Sequence, residues 1–152
     1  MTPEEIPAEP DKQEGEPYLG FFLGAQMYGL PLHRLREVCR LAQVRRVPGA
    51  AAHVAGLVNV RGEIMCALDA RAILGLAAAT SPEPGYLIAL RDFDYPVGLV
   101  VDAIADIFPI DPATIDAPPA AWPAERAACF IGMTSVRVGQ IGLLDLDRVV
   151  NG

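Results

Sequence analysis

The chain has 152 residues, 52% of them hydrophobic and 20% charged, with a formal net charge of −7. This is the composition of a globular chain and excludes a disordered one; the length suits one domain or two small lobes sharing a core. The apolar runs fall far short of the roughly 20 residues that span a bilayer, and the start, MTPEEIPAEPDKQEGEP, lacks the basic and apolar regions of a secretion signal.

Residues 1–17 carry six acids against the single base Lys12, and also Pro3, Pro7, Pro10 and Pro17. A disordered acidic tail is expected there. Strands are predicted over 18–23 and 27–32, a hairpin around Gly24-Ala25-Gln26. A short turn or helix follows over 32–37. Residues 38–47 alternate well enough for a strand, poorly at the arginines, and end at Pro48-Gly49. One helical turn is expected over 50–54. A second hairpin spans 56–60 and 64–68. Asp69 then precedes a short helix from Ala70 that stops at Gly75, in the place of a helix N-cap.

The stretch 77–85, AAATSPEPG, has the composition of a linker. Strands are then expected over 86–90, 97–101 and 104–110. A Pro-rich loop covers 111–123, followed by strands over 129–134 and 140–144 and a helix from Leu146. Charge divides with the halves: residues 18–76 carry seven arginines and three acids, residues 77–152 four arginines and ten acids. Oppositely biased halves can dock on each other or choose different partners.

The second half repeats the first. YLGFFLGAQMYGL from Tyr18 matches YLIALRDFDYPVGL from Tyr86. Gly29, Leu30, Leu32, Leu35, Glu37 and Val38 fall opposite Gly98, Leu99, Val101, Ile104, Asp106 and Ile107. Gly56, Val60, Arg61, Leu68 and Asp69 fall opposite Gly132, Val136, Arg137, Leu144 and Asp145 without a gap. The expected architecture is mainly β: two five-stranded, barrel-like (SH3-like) lobes related by internal duplication, with short helices. Lobe one covers about 18–76 and lobe two about 86–150, within a single domain 18–152. Closure into barrels would remove the exposed edges of such short strands.

Arg61-Gly62 falls between two buried runs, GLVNV and IMCALD. The glycine supplies the positive φ of a tight hairpin turn, and the arginine at the turn can reach solvent or a partner. The whole stretch, GLVNVRGEIMCALDAR, resembles the signature of CheW-type chemotaxis coupling proteins. The matching residues here are Gly56, Asn59, Arg61, Gly62, Asp69 and Arg71. YGLPLHRLREV and VGLVVDAIADI resemble further stretches of that family, and the resemblance runs from Tyr18 to about Val150.

The resemblance implies a non-catalytic adaptor without cofactor or metal. It would be cytoplasmic and tied to receptor arrays at the inner membrane, without membrane insertion. Its partners would be methyl-accepting chemoreceptor tips and the regulatory domain of a CheA-type histidine kinase. It would be a monomer alone and would enter rings within arrays. By the same resemblance Arg61 and Gly62 form a functionally sensitive turn, and Glu37 pairs with Arg61. Leu35 and Gly56 line a groove for the helical receptor tip, and Gly98 and Gly132 lie toward the kinase. Cys66 stands where the family often has proline, and Ala70 where a larger aliphatic residue is usual. These departures leave room for a paralogue in a non-flagellar chemosensory pathway. The chain is expected to be a stand-alone unit, not a domain of a larger kinase.

Other chemistries fit less well. Asp69 and Asp145 sit at matching places, as in two-lobed aspartic proteases, but lack the Asp-Thr/Ser-Gly turn and precede helical segments. His33 and His53 have no metal-ligand spacing. No phosphate-binding glycine loop occurs. Arg34, Arg36, Arg40, Arg45 and Arg46 cluster, but the chain is acidic overall and few aromatics interleave with them, so nucleic-acid binding is not expected. Cys39, Cys66 and Cys129 are distant and odd in number, which argues for buried, inert thiols in a reducing compartment.

Overall fold

Along the first strand both faces are apolar: Leu19, Phe21 and Leu23 alternate with Tyr18 and Phe22. Such a strand must be covered on both sides. A computed structural model describes residues 15–78 and 85–151 and shows what covers it. The expected acidic tail lies outside the described residues except for 15–17, and the linker except for 77, 78 and 85.

The order is β1 (Glu16–Leu23), β2 (Gln26–Pro31), a 3-10 turn (Leu32–Arg34), β3 (Leu35–Arg40), β4 (Val54–Val60), β5 (Glu63–Asp69) and α1 (Ala70–Ile73). The second half repeats it as β6 (Tyr86–Leu90), β7 (Val97–Val101), β8 (Ala103–Ile110), a 3-10 turn (Pro112–Thr114), α2 (Ala124–Ala127), β9 (Phe130–Val136), β10 (Gly139–Leu144) and α3 (Leu146–Asn151). The mainly β class and the five strands per unit are as expected.

The sheets, however, do not follow the halves 18–76 and 86–150. One has the order β8-β1-β2-β10-β9, the other β3-β6-β7-β5-β4. Each half gives its first hairpin to the other half's sheet. Each hairpin is held on both sides, by a parallel join (β2 on β10, β5 on β7) and an antiparallel one (β1 on β8, β3 on β6). The physical reason is the two-sided apolar pattern of β1, β2, β6 and β7. One face of each hairpin completes the inside of a curled sheet, and the other packs into a core shared by both sheets.

Three apolar clusters result. Tyr18, Met27, Phe108, Ile110, Ile141 and Leu143 fill one sheet. Val58, Val60, Met65, Ala67, Leu87 and Ala89 fill the other. Between them Leu19, Phe21, Leu30, Ile88, Leu99 and Leu144, with α1 and α3 residues, form the shared core.

Neither sheet closes into a barrel. Each pair of edge strands is joined through a single isolated bridge, Arg45 to Leu57 in one sheet and Asp116 to Met133 in the other. All four N–H···O bonds are 2.8 Å. Gly56 and Gly132 make these bridges possible. A Cβ on either would stand 2.4 Å from the carbonyl oxygen of Arg45 or Asp116.

The structure differs from the local expectations in three places. The strand expected over 38–47 begins at Leu35 and ends at Arg40, because residues beyond it leave β6 and turn across to meet Leu57. Over 50–54 there is no helix but a single hydrogen-bonded turn, the Val54 N–H donating to the Ala51 carbonyl at 3.0 Å as the chain enters β4. The Pro-rich loop is followed by the short helix α2, which four residues of sequence do not announce.

Candidate functional site

The β4–β5 hairpin turns on two residues, Arg61 at φ 53° and Gly62 at φ 87°. Both are left-handed, as tight two-residue hairpin turns require. Glycine accepts this without cost, whereas a residue with a Cβ loses on the order of 1–2 kcal/mol. Asn59 braces the turn: its side-chain oxygen accepts the Gly62 N–H at 2.8 Å. That contact explains why an asparagine stands two residues before the arginine.

Arg61 reaches back over the open side of its sheet. Its Nε donates to Glu37 Oε1 at 3.0 Å, while the arginine side chain stays 80% exposed. The ion pair expected between Glu37 and Arg61 is therefore formed. Glu37 lies on β3 and Arg61 at the end of β4, the two edges of one sheet. The pairing of β3 on β6 slips by one residue between Leu35 and Glu37, and such a bulge re-aims side chains. A second pair, unforeseen in the sequence, lies alongside: Arg36 Nη1 to Glu63 Oε1, 2.7 Å. Arg36, Glu37, Arg61 and Glu63 thus form a patch of alternating sign between β3 and the β4–β5 turn.

The remaining expected residues are distributed as follows. Leu35 opens β3, half-buried against the shared core. Gly56 is buried in β4 beneath Arg45, at φ 150°. Gly98 belongs to β7 and pairs with Ala67 of β5, so it lies in the same sheet as Arg61 and not with Gly132. A Cβ on Gly98 would stand 2.9 Å from the Ile88 carbonyl oxygen. Gly98 and Gly132 are therefore both close-packing glycines, and the structure does not bring them together.

The duplicated half carries a counterpart. Arg137 in the β9–β10 turn donates to Asp106 of β8 at 2.5 Å, again joining the two edges of a sheet. Its guanidinium also lies 5.0 Å from the centre of the Phe108 ring. Asp106, too, sits where the β8 register slips, between Ile104 and Ile107.

Asp69 and Asp145 are helix caps and not a dyad. Asp69 Oδ1 accepts the Arg71 and Ala72 N–H groups, and Asp145 Oδ1 accepts that of Arg148. Among the described residues no group of His, Cys, Asp and Glu could hold a metal, and no helix is long and apolar enough to cross a membrane. His33 is exposed, 3.2 Å from Glu16. Cys129 is buried, whereas Cys39 and Cys66 are only half-buried, which corrects the expectation that all three are buried. Burial pushes all three thiols up; at Cys39 the Glu37 charge adds to this.

Comparison with known proteins gives this geometry a context. Residues 17–152 match the family model described as CheW-like domain. Chemotaxis protein CheW of Treponema pallidum is 28% identical over 133 residues, 85% of this chain and 78% of that protein. Chemotaxis protein CheW of Rhizobium meliloti is 27% identical over 135 residues, 89% of this chain and 87% of that one. Protein PilI of Pseudomonas aeruginosa is 25% identical over 116 residues, 75% of this chain and 65% of its own. The crystal structure of the scaffolding protein TtCheW from Thermoanaerobacter tengcongensis superimposes with a TM-score of 0.78 at 22% identity, covering 91% of this chain and 94% of that one. The same fold and a family match across nearly all its length place the chain in the CheW-like family.

Proposed function

We propose that this chain is an adaptor that couples chemoreceptor cytoplasmic tips to a CheA-type histidine kinase. The observation that carries the reading is Arg61. It is held left-handed at a cost glycine would avoid, pinned by Glu37, and still 80% exposed. Backbone strain kept at an exposed charged residue points to use rather than stability. The receptor-side surface comprises Glu37, Arg61 and Gly62, with Leu35 and Gly56 beneath. A helical tip would lay its apolar stripe beside this charged patch. Gly98 and Gly132 are the kinase-side candidates; having no side chains, they act by letting neighbouring backbone approach.

The molecule works in the cytoplasm, bound to receptor arrays at the inner membrane through its partners. It is a monomer alone and joins rings within arrays. Similarity to Protein PilI, a relative that does not carry the CheW name, favours a second reading: a paralogue serving a non-flagellar chemosensory pathway.

The test is co-elution of the chain with the regulatory domain of a CheA-type kinase and with a receptor-tip fragment from the same organism. The wild type should bind both. Arg61→Ala should remain folded, keep the kinase and lose the receptor. Failure of the wild type to bind either partner would refute the adaptor reading.

A further inference from the structure

The two sheets differ at their seams, where β3 faces β4 and β8 faces β9. In the β8–β9 seam Thr114 and Thr134 hydroxyls bond at 3.0 Å, and Ile115 packs onto the cluster inside that sheet. Ile115 also comes so near Gly132 that a Cβ there would meet it at 2.4 Å. That seam is filled. At the β3–β4 seam Val44 stands likewise against Gly56, where a Cβ would meet it at 2.8 Å, and packs onto the cluster inside its sheet; the difference lies beyond it. In the β3–β4 seam Leu57 makes the single bridge to Arg45, and beyond it a cavity of about 550 Å³ opens, lined by Arg45, Leu57, Asn59 and Ile64. A second cavity of about 170 Å³ continues past Asn59 toward Arg40 and Arg61. Backbone groups alternate along a strand. Asn59, two residues after Leu57, therefore turns its N–H and C=O toward the seam as Leu57 does.

The chemistry of this groove is specific. Arg40 and Arg45 stand along it, Arg46 follows, and among the described residues none of the three pairs with a carboxylate. Arg61, already paired with Glu37, stands at its far end. Ile64 contributes an apolar side chain that is 56% exposed. At the position of Arg45 the filled seam has Asp116, the opposite charge. The groove suits an acidic segment with an apolar residue in it.

Residues 1–14 have that composition: Glu4, Glu5, Glu9, Asp11 and Glu14 against Lys12, with Ile6 among them. Their attachment point is near. Glu16 touches His33 at 3.2 Å, and β3 starts two residues later at Leu35. From there to Arg40 is about 17 Å at strand spacing, and fourteen residues can reach about 46–50 Å.

We propose that the β3–β4 seam is the docking site of the chain's own acidic segment 1–14. Docked there, the segment neutralises the arginine cluster and lies beside Arg61, so that a partner using that edge must displace it. This holds whether or not Arg61 meets a receptor.

The test uses the full chain and a full-length variant with Glu4→Gln, Glu5→Gln, Glu9→Gln, Asp11→Asn and Glu14→Gln. A fluorescein-labelled peptide of residues 1–14 should bind the variant about tenfold more tightly than the wild type, whose own segment competes at high effective concentration. Backbone amide resonances of residues 40–46 and 57–64 should differ between the two proteins. Wild-type resonances should move toward the variant's in about 1 M salt, where charges are screened beyond roughly 3 Å. Adding Arg40→Ala and Arg45→Ala to the variant should abolish peptide binding. Equal affinities, no binding, retained binding without the two arginines, or shifts elsewhere would overturn the proposal. So would shifts that depend on protein concentration, which would put the segment on another copy.

Discussion

Arg71 holds Asp102 with two atoms: Nη2 to Oδ2 at 2.5 Å and Nε to Oδ1 at 3.3 Å. Arg71 stands on α1, after the last strand of one half, and Asp102 lies between β7 and β8. Asp102 Oδ2 also accepts the Gly24 N–H from the β1–β2 turn at 2.6 Å, and Arg71 Nη1 donates to the Ala77 carbonyl at 2.8 Å. One ion pair thus joins both sheets and the chain leaving α1. Its counterpart in the duplicated half has the charges reversed, Asp147 on α3 and Arg34 before β3, at 3.3 Å.

Removing either partner should destabilise the protein. Burial alone would push the Asp102 carboxyl up, but the hydrogen bonds from Arg71 and Gly24 and the guanidinium charge outweigh it and hold it below its ordinary 3.8. A folded value below the unfolded one means stability that is present above the ordinary value and lost as pH falls through the folded one. Arg71→Ala should cost about 1–3 kcal/mol at neutral pH. Asp102→Asn should cost a similar amount there and should flatten the fall in stability below about pH 4. Urea unfolding across pH 2–7 measures both; an unchanged acid limb would refute this role for Asp102.

The Glu37–Arg61 pair should behave oppositely. Exposed as it is, a double-mutant cycle with Glu37→Ala and Arg61→Ala should yield a coupling of only about 0–1 kcal/mol in thermal or urea unfolding. Arg61→Gly should be stability-neutral or slightly stabilising, since it relieves the left-handed strain. A coupling well above that range would make the pair a structural clasp first.

Gly56→Ala and Gly132→Ala should each cost about 1–3 kcal/mol, because the new methyl group meets the carbonyl of the bridging residue. Gly56 adds strain at φ 150°. Gly132 has no such backbone demand, so its loss isolates the close approach. Circular dichroism melts would compare the two; a wild-type melting temperature for Gly132→Ala would show that the seam opens freely.

The thiols should titrate late. Burial pushes Cys39, Cys66 and Cys129 up, so alkylation at neutral pH should run slower than for a free peptide thiol and accelerate above about pH 9. Cys129, buried with its Sγ 3.5 Å from the Glu125 carbonyl, should be slowest. Mass spectrometry of pulse-alkylated protein reads this site by site.

Much of this molecule could be read before the structure. The two hairpins of each half, the Asp69 cap and the internal duplication are local or repeat-level signals, and each was legible; the Glu37–Arg61 pair followed only from the family resemblance. The exchange of hairpins was not. A period-two pattern says that Leu19 and Tyr18 lie on opposite faces, but not which strands come to sit beside them. The strand expected through 38–47 overran for a related reason: Arg45 forms a β-bridge, but with Leu57 and after a break. The left-handed φ of Arg61 was hidden too, because Gly62 alone accounted for the turn.

The hairpin exchange also decides what the covalent join between α1 and β6 is for. Each half contributes two strands to one sheet and three to the other, so neither half holds a complete sheet of its own. Severing the chain in the segment 79–84 would break one peptide bond and leave the ladders of both sheets crossing between two fragments. The pieces would stay together as a heterodimer, and mixed from solution each would need the other as a template. What the join supplies is proximity, the effective concentration that lets such distant strands meet quickly.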